Sequence, residues 1–383
     1  MFNSVSDEDW LRRIYDHISP NFYRAEPRMR AWTYLQSLLD ASADGRSSRR
    51  HLATYPGERR GDGAQRLLTS AQWDEEQVKA DVVGFIKNKF GPRGGTLHVT
   101  EMAFRKKGMH AAGVQRQFSV ETGRYENSQL GILLFYEAAD GSLLFIDREL
   151  YMPETWLDDP ARCARAGMPQ GLVYRSKSAI AAGLVNRAIA AGIRPDWVMV
   201  SLLCSDKYTA QQALQQAGLP HVLLLTGGEF HTAGRLAGPL VRTVSQESYA
   251  AVGAGGSGAS LSAGTQWERR RTPVRLRRMT LTASPIPGFD VSYLVDSASG
   301  RGTAQAAGYY AFTPQELQSH NLAEVVAKLK HLDARCWQSR ADIGIDRYEV
   351  RSWRGWYRHM TLAMAAYTAH AMSRRAATGA RAS

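Results

Sequence analysis

Six arginines fall between residues 269 and 278: Arg269, Arg270, Arg271, Arg275, Arg277 and Arg278. Guanidinium groups that close together repel one another unless an anion lies between them. A phosphate backbone supplies such anions in a row, and binding of that kind weakens steeply with salt. The Gly/Ala/Ser-rich run Val252–Thr265 just before them reads as a flexible loop, so the cluster is expected on a basic loop, either meeting phosphate or simply solvated. Asp147 and Glu149 alternate on a strand-like run and therefore share a face. They suit a salt bridge to a nearby arginine better than a ligand role. Trp353, Trp356, Tyr357, Arg358 and His359 offer rings for base stacking, but a helix rich in Trp and Tyr normally buries them. His110 and His231 read as structural histidines. The cysteines Cys163, Cys204 and Cys336 form no CxxC pair, which argues against a zinc ribbon or disulfide framework and for a reducing compartment. Cys204, just past Ser201, is a thiol nucleophile only if a histidine meets it in space; an inert buried cysteine is the ordinary reading.

These residues sit in a chain of 383, enough for two ordinary domains or one enlarged domain. Hydrophobic residues at 44% and charged residues at 22% exclude general disorder, a collagen repeat and a disulfide-stapled miniprotein. Lys and Arg outnumber Asp and Glu by 48 to 36, for a net charge of +12. That surplus suggests a polyanionic partner, with nucleic acid first. No apolar run approaches the ~20 residues of a membrane helix. Met1–Arg13 carries Asp7, Glu8 and Asp9 and lacks an apolar leader, so a soluble, cytoplasmic, nucleoid-associated protein without a membrane partner is expected.

Helical spacing of Trp10, Ile14, Ile18, Trp32, Leu35 and Leu38 predicts helices in the arginine-rich first eighty residues. Strands are expected at Thr96–Phe104, Gln115–Glu121, Gln129–Ala138 and Ser142–Leu150. Helix and strand then alternate: Lys177–Ala191, Trp197–Leu203, Thr209–Ala217 and His221–Leu225. Further strand-like segments lie at Met279–Thr282, Val291–Val295 and Gly308–Phe312, before helix returns from Asn321 to Arg374. Antiparallel strands followed by alternating units make a mixed α/β sheet.

Several blocks carry a family resemblance. They are Lys106-Lys107-Gly108 with His110 and Gly113-Val114-Gln115-Arg116-Gln117; Ile146-Asp147-Arg148-Glu149-Leu150-Tyr151 with Pro153 and Trp156; and Gly344-Ile345-Asp346-Arg347-Tyr348-Glu349 running through Trp353 to His359. Gln65-Arg66-Leu67-Leu68 with Trp73-Asp74, and Trp197-Val198, match more weakly. In this order the blocks resemble the DDE transposases of bacterial insertion sequences, a ribonuclease H-like family. The resemblance implies a ribonuclease H-like mixed sheet with flanking helices. Its expected parts are a helical DNA-binding region (1–92), the first part of the core (93–228), a β-rich insertion with the Gly-rich and Arg-rich loop (229–315), C-terminal helices completing the core (316–374) and a flexible tail (375–383). By the same resemblance, Lys106, Lys107 and Arg116 flank the cleft and meet phosphate, and the partner is double-stranded DNA. A homodimer is left open.

The family's chemistry is phosphoryl transfer, with three carboxylates holding two divalent cations ~3.5–4 Å apart. Mg²⁺ or Mn²⁺ needs hard, anionic oxygen ligands. The resemblance places the three acid positions at Thr100, Ser201 and Asp333, so two of the three are hydroxyls. Glu101 and Asp206 are the neighbouring carboxylates that would replace the missing ligands in an active transposase, together with Asp333. Glu101, though, is adjacent to Thr100 on a strand and faces the other way unless the strand bulges. The expectation is therefore a transposase-family, DNA-binding remnant or regulator that has lost strand cleavage and has no resident cofactor, with Mg²⁺ or Mn²⁺ only where DDE activity survives. Other chemistry in the emptied pocket, with Cys204 as nucleophile beside Thr100 and Ser201, is the alternative.

Overall fold

A computed structural model describes residues 6–43, 62–119, 122–204, 206–225, 241–249, 274–281, 287–296, 308–316 and 322–382. Four helices come first: α1 (Asp7–Ile18), α2 (Ala25–Ala43), α3 (Asp62–Thr69) and α4 (Glu75–Phe90). The start of α1 is set by Ser6, whose hydroxyl caps the Asp9 amide while the Asp9 carboxylate returns the bond, with acids filling the first turn. Leu11, Ile14, Tyr15 and Ile18 recur at helical spacing and form its buried stripe. Several arginines of this region are used internally: Arg12 stacks on Trp32 at 3.7 Å and Arg28 donates to the Phe22 carbonyl at 3.1 Å.

The strands β1 (Thr96–Arg105), β2 (Gln115–Ser119), β3 (Arg124–Glu137) and β4 (Leu143–Tyr151) form antiparallel pairs around β3. Short helices α5 (Glu154–Leu157) and α6 (Pro160–Arg165) lead to α7 (Lys177–Ala190). Then come β5 (Trp197–Ser201), α8 (Tyr208–Gln216) and β6 (His221–Leu225). β5 pairs parallel with both β1 and β6, as strand–helix–strand crossovers require. This β4-β3-β1-β5-β6 sheet, with helices on both faces, has the architecture of a ribonuclease H-like core.

Four further strands, β7 (Val241–Tyr249), β8 (Val274–Leu281), β9 (Phe289–Asp296) and β10 (Gly308–Pro314), continue the same sheet, because β10 pairs antiparallel with β6. The segment expected as an insertion thus lengthens the core sheet. It also contains β7, which the sequence reading did not assign. Residues Arg269, Arg270 and Arg271 lie outside the described residues, as do Val252–Thr265 and His231. Arg275, Arg277 and Arg278 sit on β8 and pair with β7, so half of the expected basic loop is strand.

Two long helices close the fold, α9 (Leu322–Ile343) and α10 (Trp353–Ala382). The helix α10 contacts α1, α2, α3, α4 and β4, and from Trp356 to Ala369 almost every side chain is buried. A helix buried on all sides belongs in the middle of a core. Gly131 on β3 permits this packing, since a Cβ there would lie 2.8 Å from Phe104 and 3.1 Å from Trp356. The stretch from Arg375 expected as a frayed tail continues α10 to Ala382. Arg375 anchors it, donating to the Lys89 carbonyl at 2.8 Å and pairing with Asp140 at 2.9 Å.

Candidate functional site

Thr100 and Ser201 are direct partners in the parallel ladder between β1 and β5. Asp333, on α9, lies over that pair. Ser201 Oγ donates to Asp333 Oδ2 at 2.8 Å, and Thr100 Oγ1 donates to Asp333 Oδ1 at 3.2 Å. His98 completes the cluster with Nε2 2.9 Å from Asp333 Oδ1. The hydroxyls and the imidazole are buried, and Asp333 keeps only an edge exposed. Each carboxylate oxygen thus has at least one hydrogen-bond partner. Sequence reasoning named three of these four residues and missed His98. The signal was available in the strand period, because residues two apart share a face and His98 precedes Thr100 by two.

Glu101 is elsewhere. The ladder between β1 and β3 runs without a bulge from Thr96 to Arg105, so Glu101 projects from the opposite face. There Oε2 pairs with Lys177 Nζ at 2.6 Å, while burial raises its pKa against the pull of that lysine. Asp206 is also unsuited as a replacement ligand. It accepts from the Tyr208 amide at 3.0 Å and the Ser176 hydroxyl at 3.3 Å, which occupies it at the start of α8. The Cys204 thiol bonds the Asp206 carbonyl at 3.1 Å, and its small cavity is lined by Ser178, Val200, Leu202 and Ala210. Val200 and Leu202 flank Ser201 and point away from it, so Cys204 opens on the α7–α8 face. Among the described residues, Cys204 thus lies on a different face of the sheet from Thr100 and Ser201.

One comparison with known proteins decides the family. The model of the DDE superfamily endonucleases matches residues 15–229, more than half of the chain. The chain belongs to the DDE superfamily endonucleases. No curated protein matches it. The family match includes Thr100 and Ser201 and ends before Asp333.

Members of this family act on DNA and typically use Mg²⁺ or Mn²⁺. Two such cations beside a phosphate call for several anionic oxygens. This DDE-family chain offers one carboxylate, two neutral hydroxyls and an imidazole, and the carboxylate is already hydrogen-bonded through both oxygens. Among the described residues, no group of three or more His, Cys, Asp or Glu is arranged to hold a metal. The donor set does not fit a paired-cation site.

The acids of β4 are held in ion pairs and hydrogen bonds. Asp147 accepts from Arg187 at 2.7 Å and Lys79 at 3.2 Å, and Glu149 accepts from Tyr357 at 2.7 Å and Arg187 at 2.9 Å. Trp356, Arg358 and His359 are fully buried and Tyr357 nearly so. Of the basic residues expected at phosphate, Lys107 and Arg116 are exposed. Lys106 is not a free hand: its ammonium lies 3.4 Å from the centre of the Tyr348 ring. Burial lowers its pKa to about 8, with Asp346 and Glu349 opposing. Arg278 donates to Ser292 on β9 at 3.0 Å. Among the described residues, no helix is long and apolar enough to cross a membrane.

Proposed function

We propose that this chain is a transposase-family DNA-binding protein that has lost metal-dependent strand cleavage and acts as a remnant or a regulator. One observation carries the loss of cleavage: the carboxylate of Asp333 is tied up by Ser201, Thr100 and His98, with neutral hydroxyls where two further acids are needed. The family's DNA substrate, the net charge of +12 and the exposed cations Lys107 and Arg116 support retained DNA binding.

A plasmid-nicking assay with Mg²⁺ or Mn²⁺ tests the first half. The expected result is no nicking by the protein or by Asp333→Ala. Metal-dependent nicking by the protein that Asp333→Ala abolishes would overturn it. Duplex affinity measured across a salt series tests the second half. Salt-sensitive binding is expected, and no binding at low salt would end that half of the reading.

A further inference from the structure

β1 stops pairing with β3 at Arg105, opposite Ser128, so residues Arg124–Asn127 of β3 pair only with β2 as a two-stranded ribbon. The two faces of that ribbon differ. Gln117 points inward, with its side-chain amide bonded to the carbonyls of Gly113 and Ser128. The other face carries Arg116 opposite Asn127 and Phe118 opposite Tyr125. Directly opposed residues of an antiparallel pair stand side by side. Phe118 and Tyr125 make an edge-to-face pair with centroids 5.4 Å apart. Tyr125 is 63% exposed, and neither ring belongs to the hydrophobic core.

Two cations flank this aromatic pair. Arg116, two residues before Phe118 on the same face, is exposed, and Lys107 is exposed in the turn after β1. Asn127 holds that turn over the same face by donating to the carbonyls of Lys106 at 2.8 Å and Gly108 at 3.0 Å. The one acid on the described part of the ribbon, Glu126, sits opposite Gln117 on the other face and is paired with Arg105 at 2.7 Å. An exposed ring backed by a half-buried one, neither with a role in the core and both beside cations, meets the two requirements for holding unstacked bases. Rings stack on a base face whatever its identity, and cations track the backbone. Interior bases of a duplex are stacked on one another and offer no such face.

We propose that the Phe118–Tyr125 face of the β2–β3 ribbon binds unpaired bases of DNA, as at a single-stranded end, with Lys107 and Arg116 on the adjoining phosphates. This rests on the DNA-binding reading above and adds the strand state that the protein prefers.

The test is fluorescence anisotropy with the full chain on three probes at one salt concentration: a blunt duplex, the same duplex with a short overhang, and a single strand. The overhang is expected to bind at least about fivefold more tightly than the blunt duplex, the low end for stacking one base. Tyr125→Ala should remove that advantage and leave blunt-duplex affinity unchanged, while Tyr125→Phe retains it. A 5-bromouracil in the overhang should photocrosslink to Tyr125 or Phe118. Blunt-duplex binding with no overhang preference overturns this proposal and leaves the DNA-binding reading intact. No binding to any probe removes both. If Tyr125→Ala altered only self-association, the face would be an interface between copies and the proposal would fail.

Discussion

Placing acids at the two hydroxyl positions with Thr100→Asp/Ser201→Asp should make the stability of the protein depend on divalent cation. The two hydroxyl oxygens stand 3.2 and 2.8 Å from the oxygens of Asp333. Aspartates in their place would bring two more carboxylates within about 4 Å of it, where like charges at an effective dielectric of ~20 repel by about 4 kcal/mol per pair. The two pairs with Asp333 alone amount to roughly 8 kcal/mol with all three groups ionised, before the third pair between positions 100 and 201 is added. This is comparable to a typical domain's total stability of ~5–15 kcal/mol. Proton uptake relieves part of this, so a fall in melting temperature of roughly 10 °C is expected in chelator at neutral pH. Millimolar Mn²⁺ should recover most of it. The uncharged variant Thr100→Asn/Ser201→Asn separates charge from packing and should show no recovery with Mn²⁺. Thermal denaturation of parent and variants, with chelator and with Mn²⁺, reads all of this. Were the double aspartate as stable in chelator as the parent, the convergence of the three positions would be refuted. A parent stabilised by Mn²⁺ as much as the variant would refute the unfit donor set.

Asp333→Ala leaves two buried hydroxyls and an imidazole without their acceptor, at about 1–3 kcal/mol for each unsatisfied group. A lowered urea midpoint with unchanged duplex affinity is the expected pair of results. Burial depresses the pKa of both His221 and His359 to about 4, and the neutral His359 ring sits between the Tyr34 hydroxyl and the Ile345 carbonyl. Because the unfolded chain takes up these protons near pH ~6.5 and the folded chain does not, stability is fully present above that pH. It is then lost toward pH 4 at about 1.4 kcal/mol per unit for each ring. Urea melts across that window should show the slope, and His359→Gln should flatten it by one proton. Gly131→Ala forces a methyl against Phe104 and Trp356 and should cost about 1–3 kcal/mol, seen as a lower melting temperature.

Much of the core was legible because its signals are local. The strands around β3, the crossover helix α7 and the short parallel strands carry period-two or apolar runs bounded by turn residues, and the observed ends differ by only a few residues. The convergence of Thr100, Ser201 and Asp333 was legible only through the family's order of blocks, since β1, β5 and α9 are far apart in the chain. Glu101 was readable from strand alternation alone, whereas its lysine partner on α7 was not. Misreadings cluster where the deciding contact is remote. The stretch after Arg374 is short and polar, and what fixes it as helix, the Lys89 carbonyl and Asp140, lies hundreds of residues earlier. Lys106 looked like a phosphate hand because its neighbour Tyr348 arrives from the segment between α9 and α10.

The place of α10 has a consequence for how the chain is made. It follows the whole sheet in the chain, yet α1, α2, α3 and α4, which precede the sheet, all lean on it. They can pack on one another, but the part of their apolar stripes that α10 covers must wait until the entire sheet has been translated. Nascent chains halted before Trp353 should therefore stay open to protease within α1–α4 and recruit chaperones there, and become resistant only once α10 emerges.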